Sequence, residues 1–298
     1  MKKHNAAIIG YGNIGKYVLE TLLASPDFEV AGIVRRNASN VPDELKNYTV
    51  VDHISKLKNV DVAILCSPTR SVEGFAKEIL AMGIHTVDSF DIHGGIWDLK
   101  QTLSPIAVAN KAVAVIAAGW DPGTDSVVRT MMEAMAPKGL TYTNFGPGMS
   151  MGHSVAAKAI KGVKNALSMT IPLGTSIHRR MVYIELENGA NPKTVEQLLK
   201  ADDYFAKDET HVIFVDDVSK VQDMGHGVNM TRKGVSGQTQ NQLLEFNMHI
   251  NNPALTAQVL ICVARASFKQ SPGCYTMIEI PVIDLLDGEK EYWIKKLV

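Results

Sequence analysis

The sequence predicts an α/β protein, a doubly wound parallel sheet followed by a second, α+β domain. Three observations predict it. Short apolar runs alternate with helical patterns through residue 118, and a glycine-rich turn joins the first run to the first helix. Beyond residue 118 the alternation gives way to strands separated by turns, loops and short helices.

Ala6-Ala7-Ile8-Ile9 is an apolar run of strand length, and Gly10-Tyr11-Gly12-Asn13-Ile14-Gly15 follows it, ahead of a helical pattern through Tyr17, Val18, Leu19 and Leu22. Each glycine has a task in such a unit. Gly10 makes the tight turn, Gly12 lets the backbone approach a pyrophosphate, and Gly15 lets the helix pack close to the strand. The phosphates then meet free N–H groups at the positive end of the helix. The spacing is that of a Rossmann-type dinucleotide site; an ordinary glycine turn is the plainer alternative. Residues 28–34 read as the second strand, and its end selects the cofactor. A ribose 2′-OH asks for a carboxylate there, a 2′-phosphate for cations. The chain offers Val34-Arg35-Arg36, two guanidiniums whose charge and fork geometry suit a phosphate, so NADP is expected in preference to NAD. A solvated arginine pair is the alternative.

Residues 61–66 form a buried strand ending at Cys66, and Ser67-Pro68-Thr69 at its carboxyl end should line the cofactor cleft. A helix with Val72, Phe75, Ala76, Ile79 and Leu80 on one face follows. Residues 85–88 are the next strand, ending in Ser89-Phe90-Asp91. Residues 112–118 are the most apolar strand of all, and it runs into Gly119-Trp120-Asp121-Pro122-Gly123. The expected division is a dinucleotide-binding domain over 1–118 and a substrate-binding and dimerisation domain over 119–252, with 253–298 returning to the first. Strands at 167–172, 181–186, 212–215 and 242–250 suggest a mostly antiparallel sheet in the second domain.

Composition narrows the partners. With 298 residues, a net charge of −1 and 20% charged residues, nothing points to nucleic acid or a membrane surface, and small molecules are expected. Met1-Lys2-Lys3-His4-Asn5 leads straight into the first strand, with no apolar signal region and no membrane-spanning run, so a cytoplasmic location is expected. Cys66, Cys262 and Cys274 are too few and too scattered for a disulfide framework or a metal site; Cys66 and Cys262 read as small buried hydrophobes.

The chemistry is expected at two strand ends, each presenting an aspartate: Asp91 and Asp121. Carboxylates at the carboxyl edge of such a sheet face the nicotinamide, where they can hold an ammonium group or take a proton. For Asp121 the alternative is a helix cap, because Pro122 would suit the first helical position.

Four stretches together resemble the meso-diaminopimelate D-dehydrogenases: the glycine turn, Val87-Asp88-Ser89-Phe90-Asp91, Gly119-Trp120-Asp121-Pro122-Gly123, and the ten residues from Phe145 through Met151-Gly152-His153 to Ser154. The resemblance covers essentially the whole chain. It implies a cytoplasmic, homodimeric, NADP-dependent enzyme of lysine synthesis that oxidises the D-centre of meso-2,6-diaminopimelate. The products are ammonia and L-2-amino-6-oxopimelate, which cyclises to tetrahydrodipicolinate. The resemblance further places Asp91, Trp120, Asp121, Phe145, Met151 and Gly152 around the reacting end of the substrate. Thr170, Arg180, His226 and Asn252 are placed at the distal L-centre. Thr170 could instead fill a strand position, and Asn252 could cap the helix that Pro253 opens; His226 lies between two glycines in an expected loop. Many members carry Trp where Phe145 stands and Gln where Met151 stands, and the segment before Arg180 is short here. This pattern resembles a subgroup with a roomier, less polar pocket, which implies that 2-oxo acids are also aminated to D-amino acids. Two other classes fit the residues less well. A sugar or polyol dehydrogenase commonly has a Glu-Lys-Pro where this chain has Ser89-Phe90-Asp91, and a non-catalytic NADPH sensor would not need Asp91, Asp121, Arg180 and His226.

Overall fold

The computed structural model describes residues 3–221 and 225–298. In chain order the first elements are β1 (His4–Ile9), α1 (Asn13–Leu23), β2 (Phe28–Val34), β3 (Val50–Val51), β4 (Val62–Leu65), α2 (Thr69–Ala81), β5 (His85–Asp88), α3 (Ile96–Ala109), β6 (Val113–Val115) and α4 (Thr124–Met135). Then come β7 (Lys138–Phe145), β8 (Gly148–Met149), α5 (Met151–Lys158), β9 (Val163–Gly174), β10 (Ile177–Leu186), α6 (Pro192–Ala201), β11 (Glu209–Phe214), β12 (Gly225–Ser236) and β13 (Thr239–Asn251). The chain closes with α7 (Asn252–Ser267), β14 (Gly273–Tyr275) and α8 (Lys290–Leu297). It divides into two compact units, Met1–Val127 with Pro253–Val298, and Val128–Asn252.

The first unit holds a seven-stranded sheet in the order β14-β6-β5-β4-β1-β2-β3, with every pairing parallel. Successive side chains of a strand point to opposite faces, and β1 shows both faces buried. Ala6 and Ile8 join a core that includes Val18, Leu22, Leu260 and Ile261, whereas Ala7 and Ile9 join one that includes Ala76, Ile79, Leu99 and Leu103. A sheet covered twice in this way needs the near-continuous apolar strands that the sequence displays. Strand order reverses at β1, which lies between β2 and β4. In such a sheet ligands bind at that switch point, outside the carboxyl ends of the strands. Two short strands, β3 and β14, extend the sheet beyond the expected set; two or three residues carry too little periodicity to be seen in sequence.

The first unit runs to Val127 rather than to residue 118. The reason is local: Ala118 donates to the Asp88 carbonyl, Gly119 to that of Pro122 and Thr124 to that of Gly119, so the turn after β6 is stitched to the first sheet. Val127 then packs on the first core. In α7, Ala257, Leu260, Ile261 and Ala264 bury themselves in that same core. Arg265 on this helix pairs with Asp27 through Nε (2.5 Å) and Nη2 (2.9 Å), a fork that fixes α7 to the turn before β2.

The second unit departs from the expected single, mostly antiparallel sheet. It has a four-stranded sheet, β11-β10-β9-β8, in which β10 and β11 run parallel, and an antiparallel three-stranded sheet, β13-β12-β7. Strands β7 and β12 were not expected. Glycines gave β12 the look of a loop, yet they are there for close approach: a Cβ on Gly227 would lie 2.6 Å from the Met248 carbonyl, and one on Gly234 2.6 Å from that of Lys138. Arg232, buried in β12, is held by two hydrogen bonds to the Ala136 carbonyl (2.8 and 2.6 Å) and by Thr141 and Glu133.

Cys66, which follows β4, and Cys262 are half-buried rather than fully buried; all three cysteines are free. Among the described residues no helix is long and apolar enough to cross a membrane.

Candidate functional site

The glycine turn leads from β1 into α1. Gly10 adopts φ +98°, where a side chain would be strained, and its Cβ would lie 2.8 Å from the Cys66 carbonyl. A Cβ on Gly15 would lie 2.3 Å from the Gly10 carbonyl, whereas one on Gly12 would meet no protein atom within 4 Å. Gly15 is therefore required by the fold, and Gly12 leaves room for something other than protein. Gly12 caps α1 without any side-chain bond, and no acidic residue lies in its first turn. The N–H groups of Asn13 and Ile14 at the start of α1 thus stand ready for an anion. Tyr11 packs on the first core as the turn passes.

At the end of β2 the Val34 side chain is buried, the Arg35 backbone N–H donates to Val51, and its Nη1 donates to the Asn40 carbonyl (3.1 Å). Arg36 is exposed. At the end of β4 the Ser67 hydroxyl is buried without a hydrogen bond among the described residues, an orphaned polar atom that a cofactor would satisfy. Pro68 precedes the first residue of α2, Thr69, whose hydroxyl donates to Asp91 Oδ1 (2.6 Å).

The two strand-end aspartates have different surroundings. Asp91 follows Ser89 and the buried Phe90 and is tied to Thr69. Asp121 has a side chain 15% exposed, with His93 Nε2 at 4.0 Å from its Oδ2. Trp120 beside it is buried, and its carbonyl accepts from Asp125 N (3.0 Å) and Thr124 Oγ1 (3.3 Å). Pro122 is not the first helical position that the helix-cap alternative for Asp121 supposed, because α4 starts at Thr124. Gly123, at φ +144°, turns so tightly that a Cβ would lie 1.8 Å from the Gly119 carbonyl.

Asp88 is fully buried at the end of β5. Burial pushes its carboxyl up to about 7, against two backbone N–H bonds that hold it down. The neighbouring Cys274 thiol, pushed up to about 12 by burial and by Asp88, stays neutral. The folded protein thus keeps a proton on Asp88 that the unfolded chain releases near 3.8, so stability falls as pH rises from about 4 to about 7. Asp88→Asn, which cannot lose a proton, is expected to flatten this slope, on the order of a few kcal/mol over the interval; urea unfolding at several pH values measures it. Parallel slopes for the two proteins would refute it.

In the second unit Thr170 and Arg180 stand opposite each other on β9 and β10. Thr170 is 1% exposed and accepts from Arg180 Nη1, while Arg180 Nε donates to Asp208 Oδ2 (2.6 Å). The guanidinium is thereby oriented from two sides. His226 lies in β12 and is 6% exposed, not in a loop. Its Nδ1 accepts from the Gly227 N–H (2.7 Å) and lies 3.0 Å from the Gly227 carbonyl. Two glycines bring these strands close. A Cβ on Gly146 would lie 2.2 Å from the Thr170 carbonyl, and one on Gly148 2.3 Å from that of Gly225. Asn252, 3% exposed, opens α7 and donates from Nδ2 to the Met149 carbonyl (3.0 Å).

Phe145 ends β7; its N–H donates to His178 Nε2 (2.8 Å), and its ring lies 5.5 Å from that imidazole. Met151 and Gly152 open α5, with Met151 packed on the cluster of Met149, Leu167 and Val218. Sequence reasoning gave no role to His153, which accompanies them. Its Nδ1 lies 2.8 Å from Ser150 Oγ, and burial, with Arg180 nearby, pushes it down to about 3. It is a neutral side chain against Tyr204 and Phe205. Its place in the stretch from Phe145 to Ser154 was a usable signal. Asp208 and His93 gave none, because single polar residues in loops look alike.

A parallel sheet with this glycine turn at its switch point, joined to an α+β unit, defines a two-domain oxidoreductase that uses a nicotinamide dinucleotide. Comparison with known proteins agrees: residues 4–87 match the oxidoreductase family with NAD-binding Rossmann fold, and residues 119–179 and 173–252 match the diaminopimelic acid dehydrogenase C-terminal domain. The chain is 70% identical to the meso-diaminopimelate D-dehydrogenase of Bacteroides fragilis over 100% of both proteins, and 34% identical to that of Ureibacillus thermosphaericus over 94% and 95%. It superposes on the C. glutamicum DAP dehydrogenase in complex with DAP with a TM-score of 0.89 at 28% identity, covering 100% of both chains. An engineered D-amino acid dehydrogenase bound to NADP+ gives 0.90 at 26% identity, with the same coverage. The chain belongs to the meso-diaminopimelate D-dehydrogenase family.

Proposed function

We propose that this protein catalyses the NADP-dependent, reversible oxidative deamination of the D-centre of meso-2,6-diaminopimelate. The amino acid, NADP+ and water give L-2-amino-6-oxopimelate, ammonia, NADPH and a proton. The observation that carries the reading is the 70% identity, over its whole length, to the Bacteroides fragilis enzyme. The geometry of each unit supports the reading. Bound NADP+ supplies the hydride acceptor; Gly10, Gly12 and the start of α1 suit its pyrophosphate, and Ser67 offers it a hydrogen bond. Asp91 and Asp121 orient the D-ammonium, and the amine gives up a proton before its carbon can lose hydride. The resulting imine carbon carries positive character, which the two carboxylates favour. The oriented Arg180–Thr170 pair receives the distal carboxylate, and His226 and Asn252 add hydrogen bonds. Phe145 and Met151 make the surroundings of the D-centre apolar, which supports amination of 2-oxo acids to D-amino acids as a second activity.

The test is direct: purified protein with NADP+ and meso-diaminopimelate should produce NADPH absorbance, and the LL isomer, which lacks a D-centre, should not. Absence of NADPH with the meso compound would refute the reading. A cytoplasmic location and a place in lysine synthesis come with it. So does a homodimer: Leu140, Tyr142 and Leu243 stand exposed on one face of the three-stranded sheet, apolar side chains that a second copy would cover.

NADP preference rests on Arg35 and Arg36. Replacing both with serine is expected to weaken NADP binding by roughly 10–100-fold or more while NAD binding changes little, because each charge-assisted bond to the 2′-phosphate is worth about 1.5–3 kcal/mol. Titration of both cofactors measures this; equal losses would remove the assignment.

A further inference from the structure

We propose that Asp88 is a positioning residue for the reaction, a single carboxyl oxygen that sets the places of both strand-end aspartates. Asp88 Oδ1 accepts from Phe90 N (2.9 Å) and from Ala117 N (3.1 Å). Phe90 immediately precedes Asp91, and Ala117 lies four residues before Asp121. The bridge stands where ladder pairing ends. Strands β5 and β6 pair only at Thr86 with Ala114 and at Val87 with Val115. Past that point Ala117 turns into the left-handed region, at φ +53°, which alanine enters only when its surroundings hold it there. The Asp88 backbone carbonyl accepts from Ala118 (2.8 Å), so backbone and side chain of one residue grip the departing segment together.

The residue type supports a purpose. A fully buried carboxyl at the end of a strand is costly, and an apolar side chain would fill the place at lower cost. It would also orphan two buried N–H groups that begin the turns leading to Asp91 and Asp121. Asp88 acts through the backbone of both turns. The inference rests on the reading of Asp91 and Asp121 as the groups at the reacting end.

The experiment compares Asp88→Asn, Asp88→Thr and Asp88→Ala with the wild type, measuring kcat, KM and NADP affinity together with hydrogen exchange of the Phe90 and Ala117 amides. Asn keeps an acceptor in place, whereas the Thr hydroxyl is too short to bridge and Ala has none. Ala and Thr are expected to lower kcat by roughly 10–100-fold, the usual cost of a reacting group displaced by about 1 Å, with NADP affinity within about threefold. Both amides should exchange faster in them. Asn should restore kcat to within a few-fold of wild type and keep both amides protected. Should Asp88→Ala not fold, Asn and Thr decide between them. A Thr variant with wild-type kcat, or an Asn variant as slow as Ala, overturns the proposal. A wild type inactive on diaminopimelate would instead refute the proposed function; unchanged amide exchange in Thr and Ala would then still overturn the role of Asp88.

Discussion

Asp121→Asn is expected to lower turnover of meso-diaminopimelate by roughly 10²–10⁴-fold, the range for a positioned acid/base or charge-stabilising group, with NADP affinity nearly kept. The substitution is nearly isosteric, so Trp120 should stay buried and the turn through Gly123 should stay closed. What is lost is the negative charge that favours proton loss from the D-ammonium and the positive character of the imine carbon. Because that charge develops during the reaction, kcat should fall more than KM rises. A mere helix cap at Asp121 would instead predict near-wild-type turnover, because Asn caps almost as well; α4 begins at Thr124, three residues further on. Asp91→Asn is the natural companion. Asp91 accepts from the Thr69 hydroxyl (2.6 Å), and Asp121 Oδ2 lies 4.0 Å from His93 Nε2. Near-wild-type turnover of Asp121→Asn would leave Asp91 as the remaining carboxylate candidate.

Arg180→Lys is expected to raise KM for meso-diaminopimelate by roughly 10–100-fold, the worth of one or two hydrogen bonds to a charged group, with a smaller change in kcat. Lysine retains the charge but not the planar fork. Its ammonium could still meet Asp208, so the fold should survive. It could not at once hold Asp208, contact Thr170 and grip a carboxylate along two parallel bonds. A half-buried arginine held by Nε to Asp208 and by Nη1 to Thr170 is already in position before substrate arrives, which lowers the entropy cost of binding. Asp208→Asn should therefore raise KM as well, by less than Arg180→Lys. Unchanged KM in Arg180→Lys would mean that the distal carboxylate is held by other groups.

Sequence alone determined the alternating βα framework of the first unit, because its determinants are local. An apolar strand, a glycine turn and a helix within some twenty residues specify a βα unit without reference to distant parts of the chain, and right-handed crossovers then leave few topologies. Asp91 and Asp121 were legible for the same reason: they follow apolar strands whose carboxyl ends must lie at one edge of the sheet. The second unit was decided by tertiary structure. Strand β12 pairs with β7, more than eighty residues away, and neither strand shows clean alternation. The preference for a strand there comes from packing against partners that only the fold supplies. Gly225, Gly227 and Gly234 read locally as a loop; in the fold, backbones approach so closely that no side chain fits at Gly227 and Gly234. That is why His226, expected in a loop, is buried in a strand. It is also why the partners that orient the candidate groups, Asp208 beside Arg180 and Asp88 behind the two strand-end turns, had no signature. A carboxylate's role depends on which N–H groups or guanidinium it meets, and chain folding alone brings those to it.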